Sequence, residues 1–268
     1  MKILFLGDIV AKPGRRIVSE QLPALREEWQ PDVVIANGEN ASGGLGIDPN
    51  TAAEIFAAGV DVITGGNHSW EKKEVFPYLE ATPNILRPAN FPAGAPGRGE
   101  TIFAPQSKTA SNTALPKIAV LNFIGRIFMT QLVECPFRAV DAALAALPTE
   151  INHIFVDFHG EATSEKLAFA RHLSGRVTVV VGTHTHVQTA DLQIFPTGTA
   201  AITDAGMCGP FDGIIGVDPE IVIKKFISSI PGKFDIARGR RQINGIFVET
   251  DNNTGRVNRA ERVYKIFD

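Results

Sequence analysis

The feature that most constrains the fold of this chain is a series of short apolar segments that each end in a polar cluster. The first three are residues 2–7 before Asp8, residues 33–36 before Asn37-Gly38-Glu39-Asn40, and residues 60–64 before Gly65-Gly66-Asn67-His68. The residues between these segments show the apolar spacing of helices. Alternating strands and helices predict a parallel sheet covered by helices, in which ligands bind beyond the carboxyl ends of the strands.

The rest of the 268-residue chain continues this alternation. Helices are predicted at residues 15–29, 49–58, 72–80, 139–147, 164–173 and 219–227, and further strands at residues 118–123, 153–158, 176–181, 193–195, 201–203, 245–250 and 257–266. Asp48 is the predicted N-cap of the helix that begins at Pro49. We interpret residues 1–268 as a single α/β domain, and the Pro-, Gly- and Asn-rich composition near residues 85–115 allows a small cap or loop insertion there.

Composition excludes several classes of protein. The net charge of −3 and the pI of about 6.1 give no global attraction to nucleic acids or anionic membranes, so no stable nucleic-acid complex is expected. Cys135 and Cys208 lack the spacing of a disulfide framework or a zinc finger. No apolar run is long enough for a signal peptide or a membrane span. These features predict a cytoplasmic protein with no membrane association, and homo-oligomer formation stays open.

Residues that commonly bind metal ions follow one apolar segment after another. They are Asp8, Glu39, Asn40, Asn67, His68, His159, His184 and His186. The set contains four of the six histidines, and we expect His153 and His172 to lie at a strand start and on a helix surface. In an extended segment, side chains two residues apart share a face, so His184 and His186 can reach one site.

Each cluster has an ordinary structural interpretation when it is taken alone. Asp8 can cap a helix, Asn37-Gly38-Glu39-Asn40 can form a turn, and His159 can be a hydrogen-bonded interior histidine. Together, however, carboxylate, amide and imidazole groups form the ligand set of divalent iron, manganese or zinc. Independent caps and turns would not all fall at the carboxyl ends of strands, so the metal site is the favoured interpretation.

The order of these motifs resembles the calcineurin-like metallophosphoesterase superfamily, and in particular its branch of YmdB-type cyclic-nucleotide phosphodiesterases. The matching stretches are Leu6-Gly7-Asp8-Ile9-Val10, Asn37-Gly38-Glu39-Asn40, Gly65-Gly66-Asn67-His68-Ser69-Trp70, Phe158-His159-Gly160-Glu161 and Gly182-Thr183-His184-Thr185-His186. The resemblance covers almost the whole chain. Val10 in place of a histidine and Glu39 in place of an aspartate depart from the wider superfamily and are typical of the YmdB-type branch.

The resemblance implies a four-layer α/β/β/α sandwich of two mixed β-sheets flanked by helices. It also implies two metal ions per chain, iron or manganese, with zinc as a further option. By this resemblance, one ion is held by Asp8, Glu39, Asn40 and His186, and the other is held by Glu39, Asn67, His159 and His184. Glu39 is then the bridging ligand.

The resemblance further implies the hydrolysis of cyclic nucleotides, 2′,3′-cyclic, 3′,5′-cyclic or both, by a hydroxide that bridges the metals. His68 is the implied general acid, because an alkoxide leaves poorly without a proton. Base recognition is expected to be weak, since the sequence shows no clear aromatic pair or nucleotide fingerprint. Trp70 is expected to pack beneath its loop rather than stack on a base.

Two alternative functions remain at this stage. A broad-specificity phosphomonoesterase or protein phosphatase would use the same metals. A non-catalytic, metal-dependent regulatory or RNA-binding protein is less favoured, because the slightly acidic charge opposes broad RNA binding and a pure binder has no need of an acid such as His68.

Overall fold

The computed structural model describes residues 1–106 and 115–268. Its strands are β1 (Lys2–Leu6), β2 (Asp8–Ile9), β3 (Val33–Asn37), β4 (Val62–Thr64), β5 (Glu100–Phe103), β6 (Ile118–Ile124), β7 (His153–His159), β8 (Val179–Thr183), β9 (Gln193–Ile194), β10 (Ala200–Ile202), β11 (Met207–Pro210), β12 (Arg241–Thr250) and β13 (Val257–Phe267). Its helices are α1 (Ala11–Trp29), α2 (Pro49–Ala57), α3 (Val75–Ala81), α4 (Pro136–Ala146), α5 (Thr163–His172) and α6 (Pro219–Ser228).

The strands form two mixed sheets. The first has the order β2-β11-β12-β1-β3-β4, and β13 also pairs with β12. The second has the order β5-β6-β7-β8-β10-β9. β1, β3 and β4 are mutually parallel, as are β6, β7, β8 and β10. The parallel strands of each sheet therefore end together at one edge.

Three layers of apolar side chains hold the sandwich together. Ile17 of α1 and Ile55 of α2 pack against the outer face of the first sheet. The inner faces of the sheets meet at Phe5 and Phe155, whose ring centroids lie 5.2 Å apart. Phe169 of α5 packs on the outer face of the second sheet. The layer order is helix, sheet, sheet, helix, and the predicted α/β/β/α fold class is confirmed.

A local sequence signal explains the start of α2. Asp48 caps α2, because its carboxylate accepts from the backbone N–H groups of Asn50 at 2.9 Å and Thr51 at 3.1 Å. His153 begins β7 and is buried, and His172 ends α5. Both histidines lie where the sequence predicted them.

Several elements have bounds that differ from the predicted ones. α1 begins at Ala11 rather than near residue 15, because Pro13 falls in its first turn, where the absent N–H is not needed. Residues 207–210, for which no strand was predicted, form β11 and pair with both β2 and β12.

The segment near residues 85–115 joins the second sheet in its described part. Residues 100–103 form the edge strand β5, which pairs with β6. The prediction of a cap there extends over residues 107–114, which lie outside the described residues, and it stays a prediction. None of the helices in the described ranges is both long and apolar enough to span a membrane.

Candidate active site

The polar clusters of the sequence converge where the strands of both sheets end. Asp8 lies in β2, Glu39 and Asn40 follow β3, and Asn67 and His68 follow β4. From the second sheet, His159 ends β7, while His184 and His186 follow β8. The two parallel edges face each other, so residues that are up to 178 positions apart meet at one place.

One half of the site is built on Glu39, His159 and His184. Their potential ligand atoms all lie within 4.8 Å of one another. His159 Nε2 lies 3.2 Å from Glu39 Oε1, 3.1 Å from His184 Nδ1 and 2.8 Å from Asn67 Oδ1. This half therefore contains the four side chains that the resemblance assigned to one ion.

The other half of the site contains Asp8, Asn40 and His186. His186 Nε2 lies 3.1 Å from the Asn40 amide nitrogen and 3.8 Å from Asp8 Oδ1. The amide nitrogen of Asn40 also donates to Glu39 Oε1 at 3.0 Å, which joins the two halves. Asp8 Oδ1 is buried and has no hydrogen-bond partner in the described residues. An unpartnered buried carboxylate oxygen is costly, and a cation would satisfy it.

Hydrogen bonds beneath the site fix which nitrogen of each histidine faces it. His159 Nδ1 lies 2.9 Å from the Thr183 hydroxyl, and that hydroxyl donates to Asp157 Oδ1 at 2.7 Å. The imidazole therefore donates from Nδ1 and directs Nε2 at Glu39 and Asn67. His186 Nδ1 lies 3.0 Å from the Ile215 carbonyl oxygen, so it donates there and presents Nε2 to Asp8.

A buried ion pair anchors the loop that carries His184 and His186. Both histidines have positive φ angles, 104° and 65°, which is unfavourable for a non-glycine residue. Between them, Thr185 donates its backbone N–H and its hydroxyl to Asp204 Oδ2, at 3.0 and 2.7 Å. Lys166 Nζ donates to the same oxygen at 2.8 Å. Asp204 therefore holds the loop in its strained conformation.

Burial and neighbouring charges shift the pKa values of the buried groups in the site. Burial alone would raise the pKa of Glu39, but the charge and hydrogen bond of His159 lower that pKa to about 2. Burial alone would lower the pKa of His159, but Glu39 raises it to about 9. Burial and the neighbouring charge of His159 lower the pKa of His184 to about 3, and burial raises the pKa of Asp8 to about 6. A protonated His159 thus balances Glu39, and a metal ion must displace that proton to bind.

His68 lies at the rim of the cluster. Its backbone N–H donates to Glu39 Oε2 at 3.0 Å, and its side chain is partly exposed, with Nδ1 3.4 Å from Glu71 Oε1. The ring is therefore free to meet a ligand from solvent. Trp70 packs edge-on against Phe91 at 4.3 Å between centroids, as the sequence predicted.

The backbone at Gly66 lies directly against two of the candidate metal ligands. A Cβ atom at Gly66 would lie 2.2 Å from Glu39 Oε2 and 2.6 Å from His159 Nε2. Only glycine allows the backbone to approach these side chains so closely. The donor set of oxygens and imidazole nitrogens, the unpartnered Asp8 oxygen and the oriented histidines all fit divalent cations.

Several residues of the site were missed by sequence reasoning. Glu161 Oε2 lies 3.2 Å from His184 Nε2, and Asp157 and Asp204 orient ligand-bearing segments. One signal was available, because Asp157 is two residues before His159 in an otherwise apolar strand and so shares its face. For Asp204, no local pattern pointed to Lys166 or Thr185.

A family profile described as YmdB-like protein matches residues 4–263. The chain belongs to the YmdB-like family. It is 44% identical over 263 residues to the 2′,3′-cyclic-nucleotide 2′-phosphodiesterase of Bacillus subtilis, a match that covers 98% of this chain and 96% of that protein. The predicted enzyme class, a hydrolase of phosphoric diesters, agrees with the name of this relative.

Two solved structures share the YmdB-like fold over the full chain. A hypothetical protein from Thermus thermophilus superposes with a TM-score of 0.89 at 36% identity and covers 100% of both chains. A Mycoplasma pneumoniae protein described as a novel phosphatase superposes with a TM-score of 0.91 at 35% identity, and the match covers 100% of this chain and 94% of that one.

Proposed function

We propose that this protein is a binuclear-metal phosphodiesterase that hydrolyses cyclic nucleotides. The observation that carries the proposal is the convergence of Glu39, His159 and His184 with Asp8 and His186 around buried, oriented ligand atoms. The similarity to a 2′,3′-cyclic-nucleotide 2′-phosphodiesterase supports a 2′,3′-cyclic substrate, and activity on 3′,5′-cyclic nucleotides is the second part of the proposal.

The proposed ligands divide between two ions that share Glu39. The first ion is assigned to Asp8, Glu39, Asn40 and His186, and the second to Glu39, Asn67, His159 and His184. When bound, iron or manganese ions would supply Lewis acidity and would bring the pKa of a coordinated water close to neutral. Glu39 suits the bridging position because its Oε1 lies 3.2 Å from His159 Nε2 and accepts from the Asn40 amide at 3.0 Å, so it faces candidate ligands of both ions.

His68 is the proposed general acid. Its backbone is fixed by Glu39, whereas its ring stands at the rim, where a substrate must enter. A proton given to the departing alkoxide contributes about 10²–10⁴-fold to such reactions. His68→Ala is therefore expected to keep its metal content and to lose turnover by about this factor. Full turnover in a fully loaded His68→Ala protein would exclude the acid role.

The test of the function combines metal analysis with three substrates. Protein purified without chelator is analysed for bound metals and assayed on 2′,3′-cyclic AMP, 3′,5′-cyclic AMP and p-nitrophenyl phosphate, beside Glu39→Gln. Two metals per chain and diester cleavage that the substitution abolishes would support the proposal. Cleavage of the monoester alone would indicate a phosphomonoesterase. Absence of both metal and turnover after addition of iron or manganese would refute the two-metal site.

Three further features are proposed. Residues 1–268 are proposed to be one domain, since both described sheets contribute to the same site. Self-association is proposed from the exposed apolar side chains of Ile223, Phe226 and Ile227 on α6, and light scattering tests it. A cytoplasmic location is proposed because Cys135 and Cys208 are both free, and cell fractionation tests it.

A further inference from the structure

A pocket adjoins the candidate metal site on the side of His186. It has a volume of about 280 Å³, slightly below the range of about 300–1,000 Å³ that is common for drug-sized ligands. Its wall combines amide, aromatic and apolar groups from three strands and two loops. The residues used below are His186, Gln188, Met207, Phe211, Asn244 and Tyr264.

The register of the first sheet connects this pocket to the proposed metal ligands. Met207 of β11 pairs with Asp8 of β2, and Asn244 of β12 pairs with Tyr264 of β13. Gly209 pairs with Gln242, so Met207 and Asn244, each two residues away, lie on that same face. With strands about 4.8 Å apart, Asn244 lies roughly 10 Å across the sheet from Asp8. That distance is about the length of a nucleoside whose phosphate lies at the proposed metal site beside Asp8.

Two buried oxygens in the pocket wall have no partner in the described residues. They are Gln188 Oε1 and Asn244 Oδ1. The Gln188 amide has a fixed orientation, because its nitrogen donates to the carbonyl oxygens of Ala205, Gly245 and Val263 at 3.3, 2.9 and 3.1 Å. The Asn244 nitrogen donates to Gln242 Oε1 at 3.2 Å. Because neither oxygen has accessible surface, the two amides close the inner wall of the pocket, and a ligand meets mainly its aromatic and apolar side chains.

Aromatic side chains provide the stacking surface. The Arg240 guanidinium lies over the Phe211 ring at 4.7 Å and is itself held by Asp212, so Phe211 is braced from one side. Tyr264 is 53% exposed although it is aromatic, and it stands at the mouth of the pocket. Flat heterocycles stack on such rings regardless of their identity.

We propose that this pocket is the nucleobase subsite of the active site and that it favours bases that stack strongly, with adenine preferred over uracil. A purine offers a larger stacking area than a pyrimidine, so an aromatic wall discriminates between them modestly. The inference rests on the proposed cyclic-nucleotide function. It refines the expectation of weak base recognition, because Phe211 and Tyr264 line one pocket although the sequence shows no aromatic pair.

The kinetic test separates base recognition from phosphoryl chemistry. We expect kcat/KM for 2′,3′-cyclic AMP to exceed that for 2′,3′-cyclic UMP by about threefold, and Phe211→Leu to bring this ratio toward one. Tyr264→Ala is expected to lower kcat/KM for 2′,3′-cyclic AMP about tenfold relative to the base-free diester bis-p-nitrophenyl phosphate, mainly through KM. The matched control is Lys265→Ala, which alters the opposite face of β13 and should leave the ratio unchanged.

A binding measurement makes the test independent of turnover. Adenosine 3′-monophosphate, uridine 3′-monophosphate and inorganic phosphate are titrated calorimetrically into manganese-loaded wild type and Tyr264→Ala. Tighter binding of the adenosine compound that Tyr264→Ala removes would support the subsite, even if no diester were hydrolysed and the proposed function failed. Diester hydrolysis with equal use of both cyclic nucleotides, equal binding of all three probes and no effect of Tyr264→Ala would overturn the subsite and leave the function standing.

Discussion

Asp204→Asn should weaken both the fold and the metal site, because one buried carboxylate serves both. Asp204 and Lys166 are 1% and 4% exposed, and their charged atoms lie 2.8 Å apart. Removing one partner of a buried ion pair typically costs about 3–5 kcal/mol, since the other charge remains buried without compensation. We expect the free energy of unfolding of the metal-free protein to fall by this amount in a urea titration.

The same substitution should also reduce metal affinity. Asp204 Oδ2 accepts from Thr185, and Oδ1 accepts from the Gly206 N–H at 2.8 Å, so an asparagine must set an amide N–H against one of these donors. Losses of such supporting contacts typically cost about 10–100-fold in metal affinity. A calorimetric titration with manganese measures this loss of metal affinity directly.

Matched variants separate the two effects of Asp204. Asp204→Asn combined with Lys166→Met removes the unpaired charge, so stability should recover in part while metal affinity stays low. Glu20→Gln, which breaks the exposed pair with Arg241, should change stability by less than about 1 kcal/mol. The reasoning would be refuted if Asp204→Asn unfolded within about 1 kcal/mol of wild type and bound manganese with unchanged affinity.

Three other predictions test the site and its scaffold. Gly66→Ala should abolish metal binding by elemental analysis, because its Cβ would lie 2.2 Å from Glu39 Oε2, whereas Gly232→Ala, with no atom within 4 Å of its Cβ, should bind metal normally. Asp48→Ala should lower the free energy of unfolding by about 1 kcal/mol in urea, since it removes the cap of α2, and an unchanged midpoint would contradict the capping role. Burial lowers the pKa of His153, so the unfolded chain binds more protons than the folded chain as pH falls through about 6.5. The free energy of unfolding of chelator-treated wild type should therefore fall below that pH, and that of His153→Gln should fall less. Parallel curves of unfolding free energy against pH for the two proteins would rule this out.

The sequence predicted where the segments with the candidate ligands lie, because the relevant signals are local. Short apolar strands, the Asp48-Pro49 helix start and the glycines before Asn67 each follow from the preferences of adjacent residues. Candidate ligands could be named because oxygen and imidazole groups at successive strand ends have a common chemical use. Boundaries were less accurate, as at Ala11 and at β11, because pairing with distant strands decides them.

The tertiary structure alone decided how these residues work together. It placed Thr183 and Asp157 beneath His159, paired Lys166 with Asp204, and brought Phe211 and Tyr264 into the wall of one pocket. The physical reason is that sheet order and register arise from packing between segments that are far apart in the chain, whereas periodicity reports only on neighbours. Sequence thus determined the chemistry that is available at the strand ends, and the assembly of the two sheets determined which groups are oriented, charged and within reach of one another.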